Sequence, residues 1–144
     1  EKTMRGAFKE YNEIMGRMES AYHEAALKMH LSDSEMDILY ILSAYPEGCN
    51  QSTIYKESWL TRSTANSALK KMEKNGILCI EPGDGRNRRV FPTPSGKKLM
   101  EQTAYQVIRI ENEIYAEWTA EEQETFIRLN REFADKLKEK VDRL

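Results

Sequence analysis

Two short stretches hold the residue types that can do chemistry on a polyanion. The first is Thr61-Arg62-Ser63-Thr64-Ala65-Asn66-Ser67, followed by Lys70, Lys71 and Lys74. Hydroxyls, an amide and one long cation are gathered within two helical turns. Short donors and acceptors of this kind fit base edges in the DNA major groove, and lysines further along reach backbone phosphates. The second stretch is Arg86-Asn87-Arg88-Arg89, behind the turn Pro82-Gly83-Asp84-Gly85. Arginines at a hairpin tip suit the minor groove, where a narrow duplex concentrates negative potential.

The net charge of −2 argues against polyanion binding by the whole chain, but the charge is segregated. Residues 1–55 hold five Lys/Arg against nine Asp/Glu, residues 56–98 ten against four, and residues 99–144 seven against eleven. A basic centre between two acidic arms is the footprint of a local anion-binding face.

Other chemistries find no support. No Gly-rich phosphate loop follows a strand, and Gly83-Asp84-Gly85 reads as a hairpin turn. No Ser or Cys stands in a nucleophile motif with a base and an orienting acid. We therefore expect no enzyme, no catalytic residue and no cofactor. The histidines are His23 and His30. Glu19 and His23, four apart, share a helix face, but two donors on a solvated face make a poor metal site, and none is expected. Two cysteines, Cys49 and Cys79, are too few for a disulfide framework and fit a reducing cytoplasm. Cys79 lies in an apolar run and reads as a buried small hydrophobe. Cys49, in a turn beside Gly48, is the better candidate for a reactive thiol.

These residues must be held by a scaffold. The 144 residues, 40% hydrophobic and 32% charged, make one ordinary domain or a small domain with extensions. The chain opens on Glu1 rather than Met, as a trimmed chain does, and its start carries no signal-peptide core. No apolar run matches a membrane span, so no membrane partner is expected. All four prolines lie between residues 46 and 94, together with four of the seven glycines, so turns and short strands belong to the middle.

The arms should be long helices. Met4, Phe8, Tyr11, Met15, Met18, Tyr22 and Met29 recur at helical spacing over about 4 to 29. A second helix is expected from about 94 to 117, through Leu99, Val107, Ile110 and Ile114. A last one carries Phe126, Leu129, Phe133, Leu137 and Val141. Thr119 with Glu122 forms a capping box between them. Long striped helices at the ends of a small domain are buried most simply against a second subunit, with packing of the arms on each other as the alternative.

The middle is an ordered series. Ser32 with Glu35 is a capping box that opens a helix through Ile38, Leu39, Ile41 and Leu42. Asn50 can cap a short helix over Gln51 to about Ser58. A turn at Trp59-Leu60 follows, and Thr61 caps a helix from Arg62 to Lys74, with Ala65, Ala68, Leu69 and Met72 facing inward. Asn75-Gly76 ends it. Ile77 to Ile80 is an apolar strand, Val90-Phe91 the returning one, and Thr93-Pro94 starts the next helix.

Two helices joined by a short turn, then a hairpin with a basic tip, make a winged helix-turn-helix. The fold class is mainly α with a small β-hairpin wing (α+β). Residues 1–31 form an N-terminal dimerisation helix, 32–93 the DNA-binding domain, and 94–144 the C-terminal dimerisation helices. On this reading Thr61, Arg62, Ser63, Thr64, Asn66, Ser67, Lys70 and Lys71 face DNA from the second helix.

The run D-G-R-N-R-R-V-F-P-T-P-S-G, Asp84 to Gly96, resembles the wing signature of the MarR family of bacterial transcriptional regulators. Asp84, Arg86, Thr93 and Gly96 fall in register, with Pro92 where Leu is usual. Ser63 to Leu78 resembles that family's recognition helix and following strand, and the order of elements agrees over the whole chain. The resemblance implies a cytoplasmic bacterial homodimer with interlocked terminal helices. It implies that the protein acts, as a repressor, on double-stranded DNA with a pseudo-palindromic site, its half-sites about 10 bp apart. It assigns minor-groove entry to Arg86, fixed by Asp84, with Asn87, Arg88 and Arg89 on the same wing. It also implies release by a small aromatic or phenolic effector. Tyr11, Met15, Met18 and Tyr22, one face of the first helix, are the candidate pocket residues. Family members that sense peroxide place a cysteine near the start of the first helix, and this chain has none there. Two alternatives stay open: a winged-helix module for protein–protein assembly, whose basic wing meets an acidic partner, and a cysteine redox-sensing regulator.

Overall fold

The secondary structure follows the caps and breakers. In a computed structural model that describes residues 3–82 and 88–144, seven helices and three short strands appear among the described residues. They are α1 (Gly6–Lys28), α2 (Asp33–Leu42), β1 (Cys49–Asn50), α3 (Gln51–Glu57), α4 (Arg62–Lys74), β2 (Leu78–Ile80), β3 (Arg89–Pro92), α5 (Pro94–Gln102), α6 (Ala104–Ala116) and α7 (Ala120–Val141). The chain divides into two units, Glu1–Val107 and Ile108–Leu144.

In the first unit every expected start signal but one works as a cap. The Ser32 hydroxyl accepts from the Glu35 N–H while Glu35 accepts from the Ser32 N–H, closing the capping box of α2. Thr61 accepts from the Thr64 N–H and so caps α4. Thr93 does the same for α5 through the Gly96 N–H, with Pro94 in the first turn. Asn50 is the exception: it occupies the cap position of α3 but its side chain makes no cap hydrogen bond. The Gln51 N–H instead donates to the Arg88 carbonyl at 2.7 Å. Gly76, with φ of +75°, supplies the left-handed residue that ends α4.

The sheet is antiparallel in the order β1-β3-β2, with Cys49 opposite Val90 and Cys79 opposite Phe91. Cys49 was expected in a turn. It lies in β1 and is buried, because its side chain is drawn into the core formed by α2, α3, α4 and β3. Ile38, Leu39, Leu42, Ile54, Leu69 and Val90 are fully buried there. Gly48 makes this strand entry possible. Its φ is +96°, and a Cβ would sit 2.7 Å from the Val90 carbonyl oxygen.

The single helix expected from 94 to 117 is two. Thr103 breaks it, with φ −129° and ψ −87°. Its buried hydroxyl donates to the Leu99 carbonyl at 2.7 Å, the local back-bond by which threonine competes with the helical ladder.

In the second unit the Thr119–Glu122 capping box opens α7. The corner before it is locked by Gln123, whose Nε2 donates to the Tyr115 carbonyl at 2.8 Å. Trp118 packs edge-on against Phe126 at 5.0 Å between ring centroids. Beyond that corner, none of the residues of α7 is buried.

Candidate nucleic-acid interface

The second helix of the helix-turn-helix is held from behind and from its start. Ala65, Ala68, Leu69 and Met72 bury one face of α4, as their spacing predicts. The turn before it is pinned by Asp37 of α2, whose Oδ2 accepts from the Ser58 hydroxyl at 2.8 Å and from the Trp59 N–H at 3.4 Å. Ser58 in turn accepts from the Leu60 N–H. The Trp59 side chain is left 95% exposed beside the start of α4. Asp37 is a structural residue of the site that its sequence context does not announce: a lone Asp in a helix reads as surface.

The outward face of α4 carries the expected polar residues in two stripes. Arg62, Ser63, Asn66 and Lys70 line an open basin of about 560 Å³ together with Gln51 and Tyr55 of α3 and Arg88. Thr64, Ser67 and Lys71 form the adjoining stripe and are exposed. Lys71 lies 3.8 Å from Glu35 of α2, outside the basin. Thr61 is committed to structure: its hydroxyl accepts from the Thr64 N–H and donates to the Thr64 Oγ1 at 2.9 Å. Among the described residues, three cations, Arg62, Lys70 and Arg88, line the basin and no acidic side chain does.

Gln51 and Tyr55 join the site from α3, and nothing in their spacing foretold it. The Arg62 guanidinium stacks over the Tyr55 ring at 4.8 Å, a cation–π contact. Arg88 belongs to the segment leading into β3, whose backbone is tied to α3 by the Gln51–Arg88 hydrogen bond. Arg89 is used differently: it donates to the Glu47 carbonyl at 2.5 Å and fastens the approach to β1. The remaining wing candidates, Asp84, Arg86 and Asn87, lie outside the described residues.

Two positions of the wing-like motif have structural duties. The Thr93 hydroxyl donates to the Gly76 carbonyl at 2.6 Å, tying the start of α5 to the end of α4. A Cβ on Gly96 would strike the Ile77 carbonyl oxygen, so only glycine fits there.

The thiol reading is corrected by this geometry. Burial pushes the Cys49 thiol up to about 11, helped by Glu57 and opposed by Arg89, so it is protonated and enclosed at neutral pH. A redox-sensing cysteine needs the reverse, an accessible thiolate. Nearby, the Tyr45 hydroxyl donates to Glu57 at 2.6 Å, a hydrogen bond that raises the Tyr45 pKa. Cys79 is half-buried rather than enclosed. His23 pairs with Asp33 at 2.8 Å, not with Glu19, and no group of three metal-ligating side chains is found among the described residues. On α1, Met15, Met18 and Tyr22 are exposed and Tyr11 is half-buried.

No protein-family model and no curated protein sequence matches the chain. Solved structures do. A MarR family transcriptional regulator from Silicibacter pomeroyi is 27% identical, with a TM-score of 0.72 over 90% of this chain and 89% of its own. The chain is a MarR-like winged helix. The PcaV regulator of Streptomyces coelicolor, solved with its natural ligand, shares the MarR-like fold at 24% identity and TM-score 0.64. It aligns over 92% of this chain and 97% of its own. So does MepR of S. aureus in complex with DNA, at 19% identity and TM-score 0.71, over 94% of this chain and 99% of its own. No helix among the described residues of this MarR-like chain is long and apolar enough to cross a membrane.

Proposed function

We propose that the chain is a cytoplasmic, sequence-specific DNA-binding transcription regulator rather than an enzyme. In this reading it works as a homodimer that represses from a pseudo-palindromic site and is released by a small aromatic or phenolic effector. One observation carries the DNA reading. The exposed face of α4, the second helix of a helix-turn-helix, sets Ser63 and Asn66 among Arg62, Lys70 and Arg88, with no acid among the described residues that line the basin. Short polar side chains for base edges, ringed by cations for phosphates, are the two contact classes a duplex demands. The similarity to a MarR family transcriptional regulator, and in fold to MepR solved in complex with DNA, supports it.

The dimer reading rests on α1 and α7. Phe126, Leu129, Phe133, Leu137 and Val141 repeat along α7 and are all between 43% and 51% exposed. A striped helix of 22 residues with no buried position calls for a partner, and a second copy is the commonest one. In the dimer, Arg86 enters the minor groove and Asp84 orients it. Tyr11, Met15, Met18 and Tyr22 are our candidates for effector contact, since methionine adapts to varied shapes.

A salt titration of duplex binding tests the DNA reading. If two protomers each bring three basin cations to phosphates, log K should fall with log salt at a slope of about −5. A slope near zero would leave the basin without a role in DNA binding.

A further inference from the structure

Tyr55 has one further role that the cation–π contact does not exhaust. Gln51, buried at the start of α3, donates from Nε2 to the Tyr55 Oη at 2.7 Å. With that lone pair occupied, the single phenolic proton is directed onward, and the Tyr55 Oη donates to the Asn66 Oδ1 at 3.4 Å. Asn66 is half-buried and lines the basin, and its amide offers a donor at Nδ2 and an acceptor at Oδ1.

We infer that Tyr55 is a positioning residue for base recognition: the Gln51–Tyr55–Asn66 relay holds the Asn66 amide in one flip, with Oδ1 toward the protein and Nδ2 toward the groove. This rests on the DNA-binding reading above. A carboxamide flipped by 180° exchanges donor for acceptor, so an unheld Asn reads guanine and cytosine with little distinction. Held as here, it donates, and it favours a base that presents an acceptor, the O6/N7 edge of guanine or O4 of thymine, over cytosine, which presents the N4 donor. The same ring carries Arg62 on its face, one helical turn before Asn66. One aromatic side chain from α3 therefore organises two contact residues of α4.

The test is competitive binding to a selected duplex and its single-base variants, by wild type, Tyr55→Phe, Asn66→Ala and the double variant. Tyr55→Phe keeps the ring under Arg62 and removes the hydroxyl, and with it both hydrogen bonds of the relay. It should narrow discrimination at one base pair per half-site by about fivefold, the factor one net hydrogen bond contributes, and leave affinity for the other variants in place. The double variant should match Asn66→Ala alone, because both substitutions cut the same relay. Gln51→Glu, which cannot donate to Tyr55 and draws its proton away from Asn66, should narrow discrimination at the same base pair. Full additivity of Tyr55→Phe with Asn66→Ala, a uniform loss over all duplexes, or unchanged discrimination would each overturn the relay while wild type still prefers one sequence. If wild type prefers none, the regulator reading fails and the relay falls with it.

Discussion

Replacing Leu129 and Leu137 together by Ser should split the dimer. Both lie on the stripe of α7, and they are 50% and 51% exposed in the single chain. Burying a leucine fully is worth about 1.5–3 kcal/mol, so covering the half still open yields about 1 kcal/mol for each. A symmetric interface counts each position on both protomers, so the double substitution removes about 4 kcal/mol, or roughly a thousandfold in dissociation constant. Sedimentation equilibrium over a wide protein range reads this directly. Arg131→Ser, on the same helix but off the stripe, should leave the equilibrium unchanged. Because α7 buries nothing of its own, its backbone amides should also exchange faster with solvent in the dissociated variant. A double variant that sediments as the same dimer at the same concentrations would refute the argument that the stripe is the interface.

Other substitutions and conditions test the remaining parts. Cys49 should resist alkylation at pH 7.5 in the folded protein and react only as pH climbs toward about 11; rapid labelling at neutral pH would restore the redox reading. The sign for stability follows from the same shift: above the ordinary thiol range the unfolded chain loses the Cys49 proton while the fold keeps it, so alkaline titration toward about 11 should lower the denaturation midpoint. Gly96→Ala should cost about 2 kcal/mol in urea denaturation, since the new methyl must push the Ile77 carbonyl away; a neutral result would mean that α5 shifts freely. Arg86→Ala should weaken binding to the selected duplex while the dimer stays intact, and Ser63→Ala or Asn66→Ala should relax base preference more than Arg88→Ala does. Unchanged affinity of Arg86→Ala would remove the wing from the mechanism, and uniform weakening by the Ser63, Asn66 and Arg88 substitutions would mean that α4 is not the specificity helix.

The chain announced its helices where local chemistry marks a boundary. Thr61 and Gly76 bracket α4, Ser32 and Thr119 open their helices with capping boxes, and the inward set Ala65, Ala68, Leu69 and Met72 follows from spacing alone. Thr93 and Gly96 were visible as motif positions, and the contacts with Gly76 and Ile77 show why those residue types are required. What escaped depends on partners distant in sequence. A strand as short as Cys49–Asn50 has no periodicity, and it exists because Val90 and Arg89 pair with it. Thr103 breaks its helix through a hydroxyl whose choice of the Leu99 carbonyl is settled by burial. Asp37 serves the turn at Ser58 and Trp59, some twenty residues on. Gln51 and Tyr55 became site residues only when α3 was laid beside α4. Helix boundaries are local physics, while the polar partners of a surface basin are decided by tertiary packing.

Selection of random duplex DNA on the purified protein at moderate salt, followed by sequencing, decides whether α4 reads a DNA sequence. An enriched inverted repeat is expected, its half-sites about 10 bp apart, the spacing that two symmetry-related α4 helices on one face of a duplex require. A folded dimer that enriches no sequence would contradict it and would shift the basic face to a protein partner.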